Sequence, residues 1–372
     1  MTEIASHETD EHYMKKALSL AILGQGETSP NPMVGCVLVR DGRIIGEGYH
    51  HRCGADHAEV DALNDAARRG ENVRGATAYV TLEPCCHFGR TPPCAQRLVK
   101  EGIARVVAAT EDPNPKVKGR GLAVLREAGV EVTCPCLEAE ARWLNRGFIR
   151  AQTLSRPWVT LKAAVSLDGR MALSNGESRW ITGPEARAEA HRMRASHDAI
   201  LVGVGTVLKD NPELTVRHVE GRSPRRVVLD SRLRTPPDAK AVTGEGGCLI
   251  LTVSEEAAKT KALEDAGARV IVLPEEDGHV NLDAALSRLV QEGILSLMVE
   301  GGPRVLTAFM EKGLGDWLSL FVAPKVMGEG PGLGTGLCLA SVADAVMLKE
   351  LQSRPVGGDW QIEGRFACSP DL

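Results

Sequence analysis

The sequence predicts an α/β protein built as two domains, each a sheet layered with helices, and three observations carry that expectation. The chain has 372 residues, and at roughly 150 residues per domain this length implies two units with cores of their own. Short aliphatic and β-branched runs alternate with longer stretches of helical periodicity along most of the chain, as in folds that pack helices on sheets. Near the middle, "AQTLSRP" at 151–157 interrupts the alternation with polar residues and a proline, after which it starts afresh. The expected domains are 1–152 and 153–372.

The first half opens with an amphipathic helix at about 11–23. "VGCVLVRDGRIIGEGY" at 34–49 reads as two strands around Asp41-Gly42, a pair that tolerates the positive φ angles of a tight hairpin. A helix follows from His57. "ATAYVTLEP" is the next strand, and "PPCAQRLVKEG" is a helix with prolines at its start, where a missing N–H breaks no helical bond. "ARVVAAT" is a strand, "GRGLAVLREAG" a helix and "VEVTC" a strand. A hairpin followed by such alternation implies a mixed sheet, and one more helix at about 137–146 leads to the junction. Beyond it "WVTLKAAVSLDG", "DAILVG", "RRVVLDS", "CLILTV", "RVIVL", "SLMVE" and "LSLFVAP" are strand-like, with helical stretches at 184–195, 281–292 and 303–313. The last 40 residues carry little pattern and are expected to close the sheet.

With 43% hydrophobic and 25% charged residues, the composition is that of an ordinary globular protein. No apolar run reaches the ~18 residues that span a bilayer, and the N-terminus "MTEIASHETDEHYMKK" lacks the basic start and apolar core of a secretory signal. A cytoplasmic location is expected, with no membrane partner. Ten cysteines in such a chain read as thiols or metal ligands rather than bridges. Cys134 and Cys136 read as incidental, whereas Cys85, Cys86 and Cys94 crowd one segment. A net charge of −5 argues against a surface that coats nucleic acid, while leaving room for a local anion pocket.

The crowded segment is "HAEVDALNDAARRGENVRGATAYVTLEPCCHFGRTPPC", from His57 to Cys94. His57, Cys85 and Cys94 suit three positions of a tetrahedral zinc site whose fourth stays open to water, as catalysis requires. Cys86 or His87 could close the site and make it structural. Glu59, two residues from His57, is placed to move protons without binding the metal. H-x-E followed by P-C-x-x-C marks zinc nucleobase deaminases, but here eight residues separate Cys85 from Cys94. With that insertion, "PNPMVG" at 30–35 and "DPNPKVKGRG" at 112–121, the chain resembles the deaminase half of the bifunctional riboflavin-biosynthesis deaminase-reductase family. The resemblance implies a cytidine-deaminase-like α/β sandwich with one zinc ion, Glu59 as its catalytic acid and base, and a phosphorylated pyrimidine substrate met by Asn31, His87 and Arg90. Read alone, Asn31-Pro32 is equally a turn, and Arg90 a surface charge.

The second half holds "VEGGPRV" at 299–305, two glycines and a proline between a strand and a helix, where backbone N–H groups can approach a pyrophosphate. Alone it is an ordinary turn. Together with "LKAAVSLDGRMA", "GESRWITG", "HDAILVGVGTVLKDNPELTVR", "VVLDS" and "APKVMG", it resembles the reductase half of the same family, a dihydrofolate-reductase-like α/β domain that uses NADPH. The resemblance implies cofactor contacts from Ala164, Trp180, Thr206, Asp210, Ser231, Gly302, Pro303, Arg304, Val305, Leu306, Thr307 and Ala308. It implies substrate contacts from Lys162, Ser178, Arg194, Leu214, Arg217 and Glu300. Arg194 and Arg217 offer planar forks that match a phosphate, and Arg232 and Arg234 beside Ser231 could select the 2′-phosphate of NADPH. Each of these arginines also reads as a solvated charge, and Trp180 as core. The family forms homo-oligomers, so a dimer or tetramer is expected. A tRNA adenosine deaminase with an added domain fits the wide cysteine spacing and acidic charge less well, and a zinc-stabilised nucleotide sensor would need a closed metal site.

Overall fold

The computed structural model describes residues 2–86, 93–114 and 117–372, with side chains from Thr9 onward. The chain forms two compact units, which divide between Ser155 and Arg156.

The first unit contains helices α1 (Thr2–Ala21), α2 (Ala58–Arg68), α3 (Cys94–Glu101), α4 (Arg120–Glu127), α5 (Glu138–Leu144) and α6 (Arg146–Leu154). Its strands are β1 (Gly35–Arg40), β2 (Arg43–Tyr49), β3 (Thr77–Val80), β4 (Arg105–Ala108) and β5 (Glu131–Thr133). They form one sheet in the order β2-β1-β3-β4-β5. β1 is antiparallel to β2 and β3, and the rest is parallel. The Asp41-Gly42 turn takes φ of 52° and 73°, as a two-residue hairpin with right-handed strand twist demands. Alternate residues then face opposite layers. Cys36, Leu38, Ala78, Val80 and Val106 pack with α2, α3 and α4, and Val37, Val39, Tyr79 and Val107 pack with α1 and α5. Two expectations are corrected. The first helix begins at Thr2 instead of residue 11, and "AQTL" is the end of α6 rather than irregular chain.

The second unit contains β6 (Trp158–Ser166), β7 (Ala199–Gly203), β8 (Arg225–Leu229), β9 (Cys248–Thr252), β10 (Ala268–Val272), β11 (Glu275–Glu276), β12 (His279–Val280), β13 (Ser296–Val299), β14 (Trp317–Ala323), β15 (Leu348–Val356) and β16 (Asp359–Phe366). Its helices are α7 (Pro184–Ser196), α8 (Val204–Asp210), α9 (Lys240–Thr243), α10 (Ala257–Asp265), α11 (Leu282–Gln291) and α12 (Pro303–Glu311). Nine strands form one sheet in the order β10-β9-β8-β7-β13-β6-β14-β16-β15. It is parallel through β14, and the final hairpin joins it antiparallel. β13 inserts between β7 and β6, so strand order changes direction there, and an open sheet of this kind binds ligands outside the carboxyl ends at such a point. No helix among the described residues is long and apolar enough to cross a membrane.

Candidate active sites

Close packing positions the first site. Gly48 lies on β2 beneath α2, where an added Cβ would sit 2.3 Å from the Ala62 nitrogen, so only glycine lets the helix approach this closely. His57 is the N-cap of α2, and Glu59 lies in its first turn. Cys85 follows β3, and Cys94 begins α3. The Ala95 and Cys94 backbone N–H groups donate to the Cys85 carbonyl and sulfur at 3.1 and 3.3 Å, binding the two cysteine segments together. His57 Nδ1 lies 3.6 Å from Cys85 Sγ and 3.3 Å from Cys94 Sγ. Tetrahedral zinc with ordinary Zn–S and Zn–N bonds separates such atoms by about 3.5 Å. The donor set therefore fits zinc in both chemistry and spacing. All three ligand atoms lie within 4.8 Å of one another, and Cys86 is not among them. The Cys85 thiol is drawn down to about 4 by hydrogen bonds with Cys94 and His57, against its burial. The Cys94 thiol is pushed up by Cys85 and by burial. Glu59 is 4% exposed, and burial together with the Cys85 sulfur raises its carboxyl to about 7. Such a group exchanges protons readily at neutral pH.

Two buried side chains hold the surrounding loops. Asn145 Oδ1 accepts from the Met33 N–H at 2.8 Å, and its Nδ2 donates to the Met33 carbonyl at 2.9 Å, fixing the "PNPMVG" stretch. The Glu83 carboxylate accepts four backbone N–H groups, from Asp112, Gly119, Gly121 and Leu122, at 3.0, 2.9, 2.7 and 3.3 Å. Asp112, Gly119 and Gly121 of "DPNPKVKGRG" thus converge on the carboxylate two residues before Cys85. Asn31 Nδ2 meets His50 Nε2 at 3.1 Å, and His50 Nδ1 meets the Asp56 carbonyl at 2.9 Å. A proton on Nδ1 makes Nε2 the acceptor, which orients the Asn31 amide. Residue-type patterns gave no signal for His50, Glu83 or Asn145. His87 and Arg90 lie outside the described residues.

In the second unit a pocket of about 360 Å³ gathers Lys162, Ala164, Ser178, Trp180, Arg194, Asp210, Leu214, Arg217 and Glu300. Lys162 and Ala164, two apart on β6, share a face. Lys162 Nζ lies 2.9 Å from Glu300 Oε1, and Arg194 Nε and Nη2 lie 3.0 and 2.8 Å from Oε2. Burial pushes the Glu300 carboxyl up, but Arg194 and Lys162 overcome it and hold it at about 2. Arg194 is not a wholly open phosphate fork, since three of its five N–H groups go to Glu300 and the Thr215 carbonyl, which leaves one on each terminal nitrogen. Among the described residues Arg217 has only half-exposed Glu213 and Thr215 as side-chain partners, both through Nη1, and a pair so exposed is weak.

A larger cleft of about 1280 Å³ is lined by Thr206, Ser231, Arg232, Arg234, Pro303, Arg304, Val305 and Ala308. Gly302 lines it as the N-cap of α12, so the helix presents its first N–H groups to the cleft. These donors and the exposed, cleft-lining Arg232 and Arg234 suit a phosphorylated dinucleotide. Ser178, Asp210 and Glu300 line both cavities. The expected run after Gly302 is corrected at two positions. Leu306 is fully buried in the core, and the buried Thr307 bonds the Thr335 carbonyl, so neither side chain lines the cleft. Trp180 is 63% exposed, which removes the core reading.

Fold and sites together define a zinc-dependent deaminase joined in one chain to a nicotinamide-dependent reductase. Residues 7–110 match the cytidine and deoxycytidylate deaminase zinc-binding region, and residues 157–362 match the RibD C-terminal domain. The riboflavin biosynthesis protein RibD of Aquifex aeolicus is 46% identical over 353 residues, covering 95% of this chain and 97% of the relative. That of Escherichia coli is 44% identical over 364 residues, covering 94% and 97%. A solved diaminohydroxyphosphoribosylaminopyrimidine deaminase/5-amino-6-(5-phosphoribosylamino)uracil reductase from Thermotoga maritima superposes with a TM-score of 0.89 at 38% identity, covering 97% of this chain and all of that one. Acinetobacter baumannii RibD gives 0.88 at 37% identity, covering 97% and 99%. The chain belongs to the RibD family.

Proposed function

We propose that the chain carries out two consecutive reactions of riboflavin biosynthesis. The first unit, taken as residues 1–152, deaminates 2,5-diamino-6-ribosylamino-4(3H)-pyrimidinone 5′-phosphate by hydrolysis. The second, 153–372, uses NADPH to reduce the ribosyl group of 5-amino-6-(5-phosphoribosylamino)uracil to ribityl. The observation that carries the reading is the Glu59 carboxyl buried beside the donor atoms of His57, Cys85 and Cys94, in a chain that also holds the Lys162–Glu300–Arg194 pocket.

His57, Cys85 and Cys94 hold the zinc ion, which supplies the Lewis acidity that makes water a nucleophile at neutral pH. Glu59 takes a proton from the attacking water and gives it to the departing exocyclic nitrogen, which leaves as ammonia. Asn31, oriented by His50, hydrogen-bonds the pyrimidine, and His87 and Arg90 take part in binding the same substrate. In the second unit NADPH supplies the hydride. Thr206, Ser231 and the Gly302–Val305 turn bind it, Arg232 and Arg234 meet its 2′-phosphate, and Ala164, Trp180 and Asp210 border the reacting end. Lys162 and Arg194 fix both oxygens of Glu300 toward the sugar, while Ser178, Leu214 and Arg217 receive the rest of the substrate. The enzyme works in the cytoplasm as a dimer or tetramer.

Product analysis with the diaminopyrimidine phosphate tests both reactions. Without NADPH, ammonia and the aminouracil should accumulate; with it, one NADPH should be oxidised per ammonia released. Absence of ammonia, or NADPH oxidation that ignores the deaminated pyrimidine, overturns the reading.

A further inference from the structure

On α7, Arg187, His191 and Arg194 stand at i, i+4 and i+7 and so share one helix face. All three line the 360 Å³ pocket. His191 is only 5% exposed, yet it lines that pocket, where its ring meets the His218 ring edge-on with centroids 4.5 Å apart. Its Nδ1 accepts the Arg217 backbone N–H at 2.9 Å, which places the ring proton on Nε2. Among the described residues Nε2 has no hydrogen-bond partner. Nε2 is not among the fully enclosed polar atoms that lack a partner, so its N–H is reached by solvent and is free to donate to a ligand in the pocket.

The surroundings keep the ring uncharged. Burial comes first, and then Arg194, His218 and Arg217 lower its pKa to about 4, against a smaller pull from Glu300. Protonation would also set a second donor against the Arg217 N–H. Near neutral pH the pocket therefore contains one fixed N–H donor from an uncharged ring. It is joined through Nδ1 to the backbone of Arg217, whose guanidinium lines the same pocket with a half-exposed glutamate as its ion-pair partner.

We infer that His191 is a specificity-determining residue of the reductase pocket, donating Nε2–H to an oxygen of the substrate's 5′-phosphate. This rests on the proposed reading of the pocket as the site of the phosphorylated aminouracil.

His191→Asn and His191→Gln separate the two ring nitrogens. The asparagine oxygen reaches the position of Nδ1 and can still accept from Arg217, but its amide stops short of Nε2. The glutamine amide reaches Nε2. With the phosphorylated aminouracil and NADPH, His191→Asn should raise KM about tenfold with kcat and NADPH affinity little changed, and His191→Gln should recover most of the loss. With the dephosphorylated substrate, His191→Asn should behave as wild type. Equal weakening of both substrates, or an unchanged KM, overturns the inference. Wild-type protein provides a test that needs no folded variant: inorganic phosphate should shift the His191 Nε2–H resonance, and its indifference to saturating phosphate overturns the inference as well. If wild type fails to reduce the aminouracil, the functional reading falls and this inference falls with it. If wild type turns over and His191→Asn matches it, the inference falls alone.

Discussion

Replacing Gly121 with alanine should loosen zinc through a contact two side chains away from it. An added Cβ would stand 1.9 Å from the Pro84 carbonyl oxygen and 3.1 Å from Glu83 Oε1. Real Cβ contacts rarely fall below 3.0 Å, so the backbone at Pro84 or the start of α4 must move by more than about 1 Å. Overpacking of this kind costs about 1–3 kcal/mol. The shift also strains the bonds from Gly121 and Leu122 to Glu83, and hydrogen bonds to a charged acceptor contribute about 1.5–3 kcal/mol each. A destabilisation of about 3–5 kcal/mol is expected for the first unit. Because Pro84 precedes Cys85, zinc affinity should also fall by about 10–100-fold, as when support outside the ligands is lost. The assay is competition with a chromogenic chelator, alongside thermal unfolding, with NADPH-dependent reduction as a check that the second unit is intact. A Gly121→Ala protein with the wild-type chelator midpoint and melting temperature would refute the view that this clamp positions Cys85.

Cys94→Ser should release zinc, whereas Cys86→Ser should keep it; equal loss of metal from both would show the donor set to be wrong. Glu59→Gln should retain zinc and lose about 10²–10⁴ in deamination rate, yet still reduce the deaminated pyrimidine when it is supplied directly, so near-normal ammonia release from it would end the proton-shuttle role. Arg217→Ala should raise KM for the phosphorylated substrate about tenfold or more with NADPH affinity little changed, and Arg217→Lys should recover part of it; weakened NADPH binding with unchanged KM would assign Arg217 to the cofactor. His191 titrates at about 4 in the fold against 6.5 ordinarily, so its contribution is present above pH 6.5 and is lost as pH falls from there through 4, a change of up to about 3 kcal/mol. His191→Asn should flatten the fall in thermal stability over that window, and an unaltered slope would contradict the depressed value.

What sequence made readable was local. The hairpin followed from two turn residues, the layers from alternation, and the metal donors from residue types that serve few other purposes at such spacing. Sequence is silent where one side chain answers backbone groups far along the chain. Glu83 reaches Leu122, and Asn145 reaches Met33 from 112 residues away, and neither carboxylate nor amide announces its partner. His191 is similar, an ordinary helical histidine until Arg217 is folded against it. A contiguous run such as Gly302–Ala308 also cannot face one cleft throughout, because a helix turns 100° per residue and sends Leu306 and Thr307 inward. Arg194 shows the limit for charge: a cation in the right region is legible, but its commitment to Glu300 is not.

The closing hairpin, β15 and β16, has a bearing on solubility. Without it, β14 would be the end of the sheet, offering a bare row of N–H and C=O groups flanked by Trp317, Leu318 and Phe321, all now buried. Such an edge invites pairing with other chains. β15, which takes the outer position instead, is poorly suited to that: its register is broken between Lys349 and Gln352, Glu350 takes φ of 58°, and Pro355 lacks a donor. Lys349, Glu350 and Arg354 add charge along it. The stretch of sequence with the least pattern thus acts as the sheet's selvedge, and a chain cut before Leu348 would be expected to precipitate with both sets of catalytic side chains still in place.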